Sequence, residues 1–334
     1  MERDRSVDAV VEAESVRTKR DEPRPLPGDP GPRPFTLREH ARLVYRTVHT
    51  SLETRRERRR GVGLLGLARS IFPAVRDPVF LLGSPRSGTT FLGACFEGLP
   101  SFSYHFEPVA TKAATRAVWS GAWSERGSAA YFRRVYRWLL RLHCEGGRRF
   151  VEKTPRIVFI GDFLARTFPN AKFVHIVRDG RDVAVSWAEK PWLRRDSAGS
   201  GRYEAGGYPC GPYPHFWVEP DRVRAFCETT DAHRCAWGWR RHVEAGLDLE
   251  SALGPGRVLR VRYESLAKDP EEESRRIAAF LGGLTPEDLD GLLNATRRVR
   301  SGSIGRWRTL LSELDTALVT GECGNLLKSL GYDD

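Results

Sequence analysis

Three short apolar runs punctuate the chain, and each is followed by a segment of helical character. Val79-Phe80-Leu81-Leu82 reads as a fully buried strand running straight into Gly83, and Thr89 onward (Thr90, Phe91, Leu92, Ala94, Cys95, Phe96) reads as a helix. Lys172-Phe173-Val174-His175-Ile176-Val177 reads as a second strand. It ends at Arg178-Asp179-Gly180-Arg181-Asp182, and Val183 to Trp187 starts another helix. A third strand, Val258 to Tyr263, precedes Glu264-Ser265-Leu266 and a helix from Glu271 to Leu281. Strands alternating with helices predict an α/β fold, a mainly parallel sheet flanked by helices and opening with a P-loop type of nucleotide-binding unit. No repeat of fixed period runs through the chain.

Outside that body the pattern changes twice. Residues 1–34 are rich in charge, Pro and Gly and read as disordered. Thr36 and Glu39 form a capping box ahead of Leu37, Ala41, Val44, Tyr45, Val48 and Leu52 at helical spacing. Residues 35–75 are therefore expected to be a helical extension, and residues 76–334 the main domain. Between Lys190 and Arg234 the periodicity breaks down into a stretch rich in Gly, Pro and aromatics (Trp192, Tyr203, Tyr208, Tyr213, Phe216, Trp217). A loop that long in a compact domain reads as a lid over an acceptor. Thr229 to Leu249 is helical again.

Composition narrows the partners. A net charge of +11 favours anionic ones: a nucleotide, a sulfated or acidic substrate, a nucleic acid or an anionic membrane. The run Arg55-Arg56-Glu57-Arg58-Arg59-Arg60 reads first as a solvated face. With the short apolar stretch after it, it also allows peripheral membrane contact through residues 55–75. The six cysteines carry no CxxC pair, so buried free thiols are expected and no metal. The N-terminus lacks an apolar signal core, and no run approaches the roughly 20 apolar residues of a membrane helix. A cytoplasmic protein is the expectation.

The chemistry starts in Gly83-Ser84-Pro85-Arg86-Ser87-Gly88-Thr89-Thr90. This loop is built like a Walker A motif with Thr89 where its Lys would stand. Its glycines let backbone N–H groups turn inward, the next helix adds its positive end, and Arg86 can fork onto phosphate or sulfate oxygens. An ATP or GTP user needs the missing Lys and an acid for Mg²⁺, whereas a 5′-phosphate esterified to sulfate needs neither. Arg178 at a strand's carboxyl end and Ser186 two helical turns on suit a second phosphate.

Gly83 to Thr90 and Phe173 to Ser186 resemble the 5′- and 3′-phosphate segments of sulfotransferases that use PAPS (3′-phosphoadenosine 5′-phosphosulfate). The Arg-Ser-Gly-Thr-Thr loop is closer to the tyrosylprotein and bacterial members than to the cytosolic phenol or steroid enzymes, which keep a Lys there. The similarity covers residues 76 to about 310 and implies PAPS held by Arg86, Ser87, Gly88, Thr89, Thr90, Arg178 and Ser186. It further implies Glu107, in Ser103-Tyr104-His105-Phe106-Glu107-Pro108, as general base, and Lys153, in Val151-Glu152-Lys153-Thr154-Pro155, beside the transferred sulfuryl group. Tyr263 matches an adenosine-side tyrosine. Ser303-Ile304-Gly305-Arg306-Trp307 matches the late loop that closes on PAPS, with Arg306 in place of a Lys and Arg300 or Arg308 as alternatives. His105 is a rival base two residues from Glu107.

The expected partner is a hydroxyl-bearing acceptor, carbohydrate or glycolipid in preference to phenol or peptide tyrosine, and not nucleic acid. Two other functions remain open on the residues alone. A P-loop kinase or NTPase predicts ATP and Mg²⁺ binding, and a non-catalytic polyanion-binding protein predicts indifference to Glu107→Ala.

Overall fold

The computed structural model describes residues 64–204 and 208–332, together with isolated helical positions at Arg42, Tyr45, Arg46 and His49. The disorder expected of residues 1–34 and the Arg55–Arg60 run lie outside the described residues. Five strands, β1 (Val79–Gly83), β2 (Phe102–Phe106), β3 (Arg149–Lys153), β4 (Lys172–Val177) and β5 (Val258–Arg262), form one sheet in the order β2-β3-β1-β4-β5. Every neighbouring pair is parallel. The principal helices are α1 (Leu64–Ile71), α2 (Thr89–Cys95), α3 (Val109–Trp119), α4 (Glu125–Leu142), α5 (Gly180–Ala188), α6 (Asp231–Leu253), α7 (Tyr263–Lys268), α8 (Pro270–Leu281), α9 (Pro286–Thr296) and α10 (Glu313–Ser329).

The three apolar runs become β1, β4 and β5: β1 and β4 lie inside the sheet and are covered on both faces, while β5 at the edge buries Val258 and Val261 and leaves Arg260 exposed. Along β1, Val79 and Leu81 face a core built with α2, α8 and α9 through Leu92, Phe96, Ile277 and Leu292. Phe80 and Leu82 face the opposite core, made with α3 and α4 through Ala110, Ala114, Phe132 and Tyr136. A third core lies against α5, α6 and α10 and takes in Trp187, Trp239 and Cys323.

Tyr208, Phe216 and Trp217 of the long aromatic stretch belong to that third core, each no more than 4% exposed. Their composition suggested rings waiting for an acceptor, but in the fold they pack, while Tyr203 of the same stretch is 67% exposed. Among the described residues of 190–222 there are short 3-10 turns and one isolated antiparallel bridge between Tyr203 and Pro209, so burial of these rings rather than a repeating hydrogen-bond ladder fixes their course. All six cysteines are free thiols. Among the described residues no helix is long and apolar enough to cross a membrane.

Gly180 opens α5 where it crosses α6 closely. A Cβ there would stand 2.7 Å from the indole of Trp239, which is fully buried and donates its Nε1–H to the Arg178 carbonyl at 3.0 Å. Gly180→Ala is expected to cost about 1–3 kcal/mol through overpacking, measured by chemical denaturation. An unchanged midpoint would show that this crossing has slack.

Candidate active site

Each of the five strands ends at one side of the sheet, and the segment at each end carries a residue singled out by the sequence. Glu107 follows β2, Lys153 closes β3, the Gly83 loop follows β1, Arg178 follows β4 and Tyr263 follows β5. In a parallel sheet ligands collect outside the carboxyl ends of the strands, in the crevice at the point where the strand order reverses. The fold therefore gathers residues far apart in sequence.

The loop makes a tight turn in which Ser87 N–H donates to the Ser84 carbonyl at 3.2 Å, and α2 begins with Leu92 N–H donating to Gly88 O at 2.9 Å. Gly88 has φ of 92° and lies against Tyr263, whose ring carbon would be 2.5 Å from any added Cβ. Both the backbone angle and the approach require glycine. Thr89 is buried at the first turn of α2 and Thr90 is exposed. The Ser87 hydroxyl is buried without a hydrogen-bond partner.

Arg86 does not stay over its own loop. Its Nε donates to Ser186 Oγ at 3.1 Å, so the loop arginine joins the residue expected to serve the second phosphate. Burial lowers the Arg86 pKa, Glu189 offsets part of that, and the nearby Arg178 guanidinium lowers it again. Arg178 lies over the Tyr263 ring at 4.7 Å, donates to the Ser303 carbonyl and leaves its buried Nε–H unpartnered. Tyr263 donates its hydroxyl to the Arg300 carbonyl at 2.7 Å, with Ser303 Oγ at 3.5 Å. Arg86, Ser186, Arg178, Tyr263 and Ser303 thus form one cluster.

Arg306 stands apart from it, turned to Glu189 at 3.2 Å on the surface. Of the two alternatives, Arg308 lies over the Trp307 ring at 4.5 Å, and Arg300 is exposed and meets Tyr263 through its carbonyl. What docks the late loop is Asp182, whose buried carboxylate accepts from Gly305 N–H at 2.7 Å and Trp307 N–H at 3.1 Å. In the sequence Asp182 is only the last residue of the Arg178–Asp182 run, with no motif to mark it.

On the other side of β1, Glu107 bridges two lysines. Its Oε1 is 2.5 Å from Lys153 Nζ and its Oε2 is 2.6 Å from Lys112 Nζ. Glu107 is held at φ of 39° by a backbone bond from its N–H to the Lys153 carbonyl at 2.9 Å. Burial pushes its carboxyl up, but Lys153 and Lys112 together outweigh that and hold it below the ordinary carboxylate range. Burial lowers the Lys153 pKa, and Glu107 opposes the change.

His105 lies elsewhere. It meets Ser103 Oγ at 2.8 Å, stacks on Phe150 at 4.5 Å between centroids and is 4% exposed, a buried histidine serving the fold. Beyond Lys112 the long stretch brings Glu204 against Arg156, and His215 stacked on Tyr208 at 4.2 Å. Burial above all pushes His215 down to about 4, so it is neutral at physiological pH.

Residues 76–298 match a family model described as a sulfotransferase domain. The chain belongs to the sulfotransferase family. It is 24% identical over 217 residues to the protein-tyrosine sulfotransferase of Drosophila melanogaster, covering 61% of this chain and 37% of that protein. Carbohydrate sulfotransferase 5 of Mus musculus is 31% identical over 180 residues, with 49% and 42% covered. Against the first three similar relatives, all described as protein-tyrosine sulfotransferases, the matched region spans 37%, 50% and 64% of their lengths. The sulfotransferase STF9 from Mycobacterium avium shares the fold at a TM-score of 0.50 and 13% identity, over 89% of this chain and 85% of that one. The parallel sheet and its flanking helices are thus those of a sulfotransferase, a family whose sulfate source is PAPS.

Proposed function

We propose that this sulfotransferase moves a sulfuryl group from PAPS to an acceptor hydroxyl, with Glu107 as the base that takes the hydroxyl proton. The observation that carries the reading is the Glu107–Lys153 contact of 2.5 Å beside the Gly83 loop, a base and a cation standing next to a phosphate cradle. The unpartnered Ser87 hydroxyl and Arg178 Nε–H, both buried, fit an anionic ligand because a buried polar group without a partner costs about 1–3 kcal/mol. Ser87, Gly88, Thr89 and Thr90 would hold one phosphate, and Arg86, Arg178 and Ser186 the other. Tyr263 and Ser303 would stand at the nucleoside. When bound, PAPS supplies an activated sulfur–oxygen bond whose leaving group is a phosphate.

The residues then divide the work. Glu107, held ionised by its two lysines, accepts the acceptor's proton as the new oxygen–sulfur bond forms. Lys153 balances the negative charge that gathers on the departing phosphate oxygen. As Lys153 turns toward that charge, Glu107 loses one cation and becomes a stronger base at the moment it is needed.

The acceptor is assigned to a carbohydrate or lipid-linked glycan. Support comes from the net charge of +11 and from the likeness to the mouse carbohydrate sulfotransferase. The protein-tyrosine sulfotransferase relatives favour a second reading, a peptide tyrosine. Labelled-sulfate transfer onto a panel of glycans, phenols and peptides decides between them, and transfer confined to phenolic hydroxyls removes the carbohydrate assignment. For the sulfate source, PAP and PAPS are expected to raise the melting temperature where ATP with Mg²⁺ does not. Arg178→Ala should weaken PAP by about 10- to 100-fold, the range of a lost charge-assisted contact. Stabilisation by ATP with Mg²⁺ and none by PAP would overturn the reading.

A further inference from the structure

Glu107 offers two oxygens, and only one of them faces Lys153. The other is occupied by Lys112, a residue in no motif, one helical turn into α3 beyond Pro108. Lys112 is only 13% exposed at its side chain, so the pair is not a loose surface ion pair. The segments that carry the two lysines are also tied to each other, through the Glu152 side chain. Glu152, fully buried, accepts from Thr111 Oγ1 at 3.0 Å and from Thr154 Oγ1 at 2.8 Å, both on its Oε1. Thr111 precedes Lys112 and Thr154 follows Lys153, so one carboxylate oxygen fixes the turn of α3 against the end of β3. Tyr136 takes the other oxygen of Glu152.

We infer that Lys112 is the positioning residue for the base: it keeps Glu107 Oε2 and leaves Oε1 as the single oxygen that receives the acceptor proton. The inference rests on Glu107 being that base. In the transfer step the proton leaves the acceptor hydroxyl for Glu107 Oε1, and the acceptor's own oxygen bonds to sulfur. The old sulfur–phosphate oxygen bond breaks with its electron pair on the phosphate. Lys153 can follow the departing charge because Lys112 stays behind to orient the carboxylate. Among the charged groups around Glu107, α3 contributes Lys112, β3 contributes Glu152 and Lys153, the Gly83 loop contributes Arg86 near Lys153, and the long stretch contributes Glu204 near Lys112.

The test is the pH profile of kcat/KM in full-length protein. Lys112→Met removes one of the two cations, so the carboxyl gains a proton more readily and the acid limb moves up by about one pH unit. KM for PAPS should change less than twofold, and Lys112→Arg should return the limb to its original place. Should Lys112→Met fold poorly, as judged by its melting curve, Lys112→Gln serves in its place. A Met or Gln variant that loses activity equally at every pH, with the limb unmoved, overturns the positioning role. If instead Glu107→Gln is fully active, it is the base assignment itself that falls, so the two failures are told apart.

Discussion

Glu107→Gln is expected to lower turnover by about 10²–10⁴-fold, the usual worth of a positioned base, while PAP affinity stays within about twofold. Glutamine keeps the shape, but its single amide oxygen accepts from only one of Lys153 and Lys112 and its NH2 group, a donor, faces the other, so the change removes proton affinity together with one of the two lysine contacts. The two lysines then lie close together without their shared counter-ion, 1% and 13% exposed at their side chains. Some loss of stability therefore accompanies the loss of rate, and the melting temperature with saturating PAP is the control. Single-turnover transfer from labelled PAPS measures the effect at the chemical step. A rate near that of the parent protein would mean that the acceptor loses its proton to solvent or to another group. His105 is not that group as placed, since its ring lies between Ser103 and Phe150.

Lys153→Ala is expected to cost about 10²–10³-fold in kcat, comparable to removing one fixed group that stabilises developing charge. The same substitution changes the base. With Lys153 gone, only Lys112 offsets the burial of Glu107, so the carboxyl pKa rises and the acid limb of the rate profile moves to higher pH. The two variants are therefore distinguishable: Glu107→Gln flattens the acid limb, and Lys153→Ala displaces it. A Lys153→Ala protein with unaltered kcat would place the leaving-group charge on other residues, Arg86 first.

Much of this architecture is legible in the chain, and the parts that are not share a cause. β1 and β4 announce themselves because their apolar runs are little interrupted, and β5 through the apolar Val258, Leu259 and Val261 around its two arginines. β2 and β3 do not, since Ser103, His105, Glu152 and Lys153 break their apolar character while being buried all the same. Specific partners make that burial possible, and no periodicity encodes partners that come from α3 or α4. The phosphate loop was readable as a local motif. The meeting of Arg86 with Ser186 was not, because the two are brought together by the β1–β4 pairing rather than by spacing. Lys112 and Asp182 carry no signature at all, and each acquires its role only once the carboxyl ends of the strands are assembled. The aromatic stretch misled for the converse reason: composition shows that Phe216 and Trp217 are present but not which way they face.

Arg86 and Arg178 place two partly desolvated guanidinium groups near each other, and Arg86 does so at φ of 70°, a backbone angle that favours glycine. Such an arrangement suits anions and burdens the empty protein. Variants selected for heat resistance without nucleotide would accordingly drift toward Gly at position 86, trading a sulfotransferase for a sturdier protein that no longer grips its sulfate source.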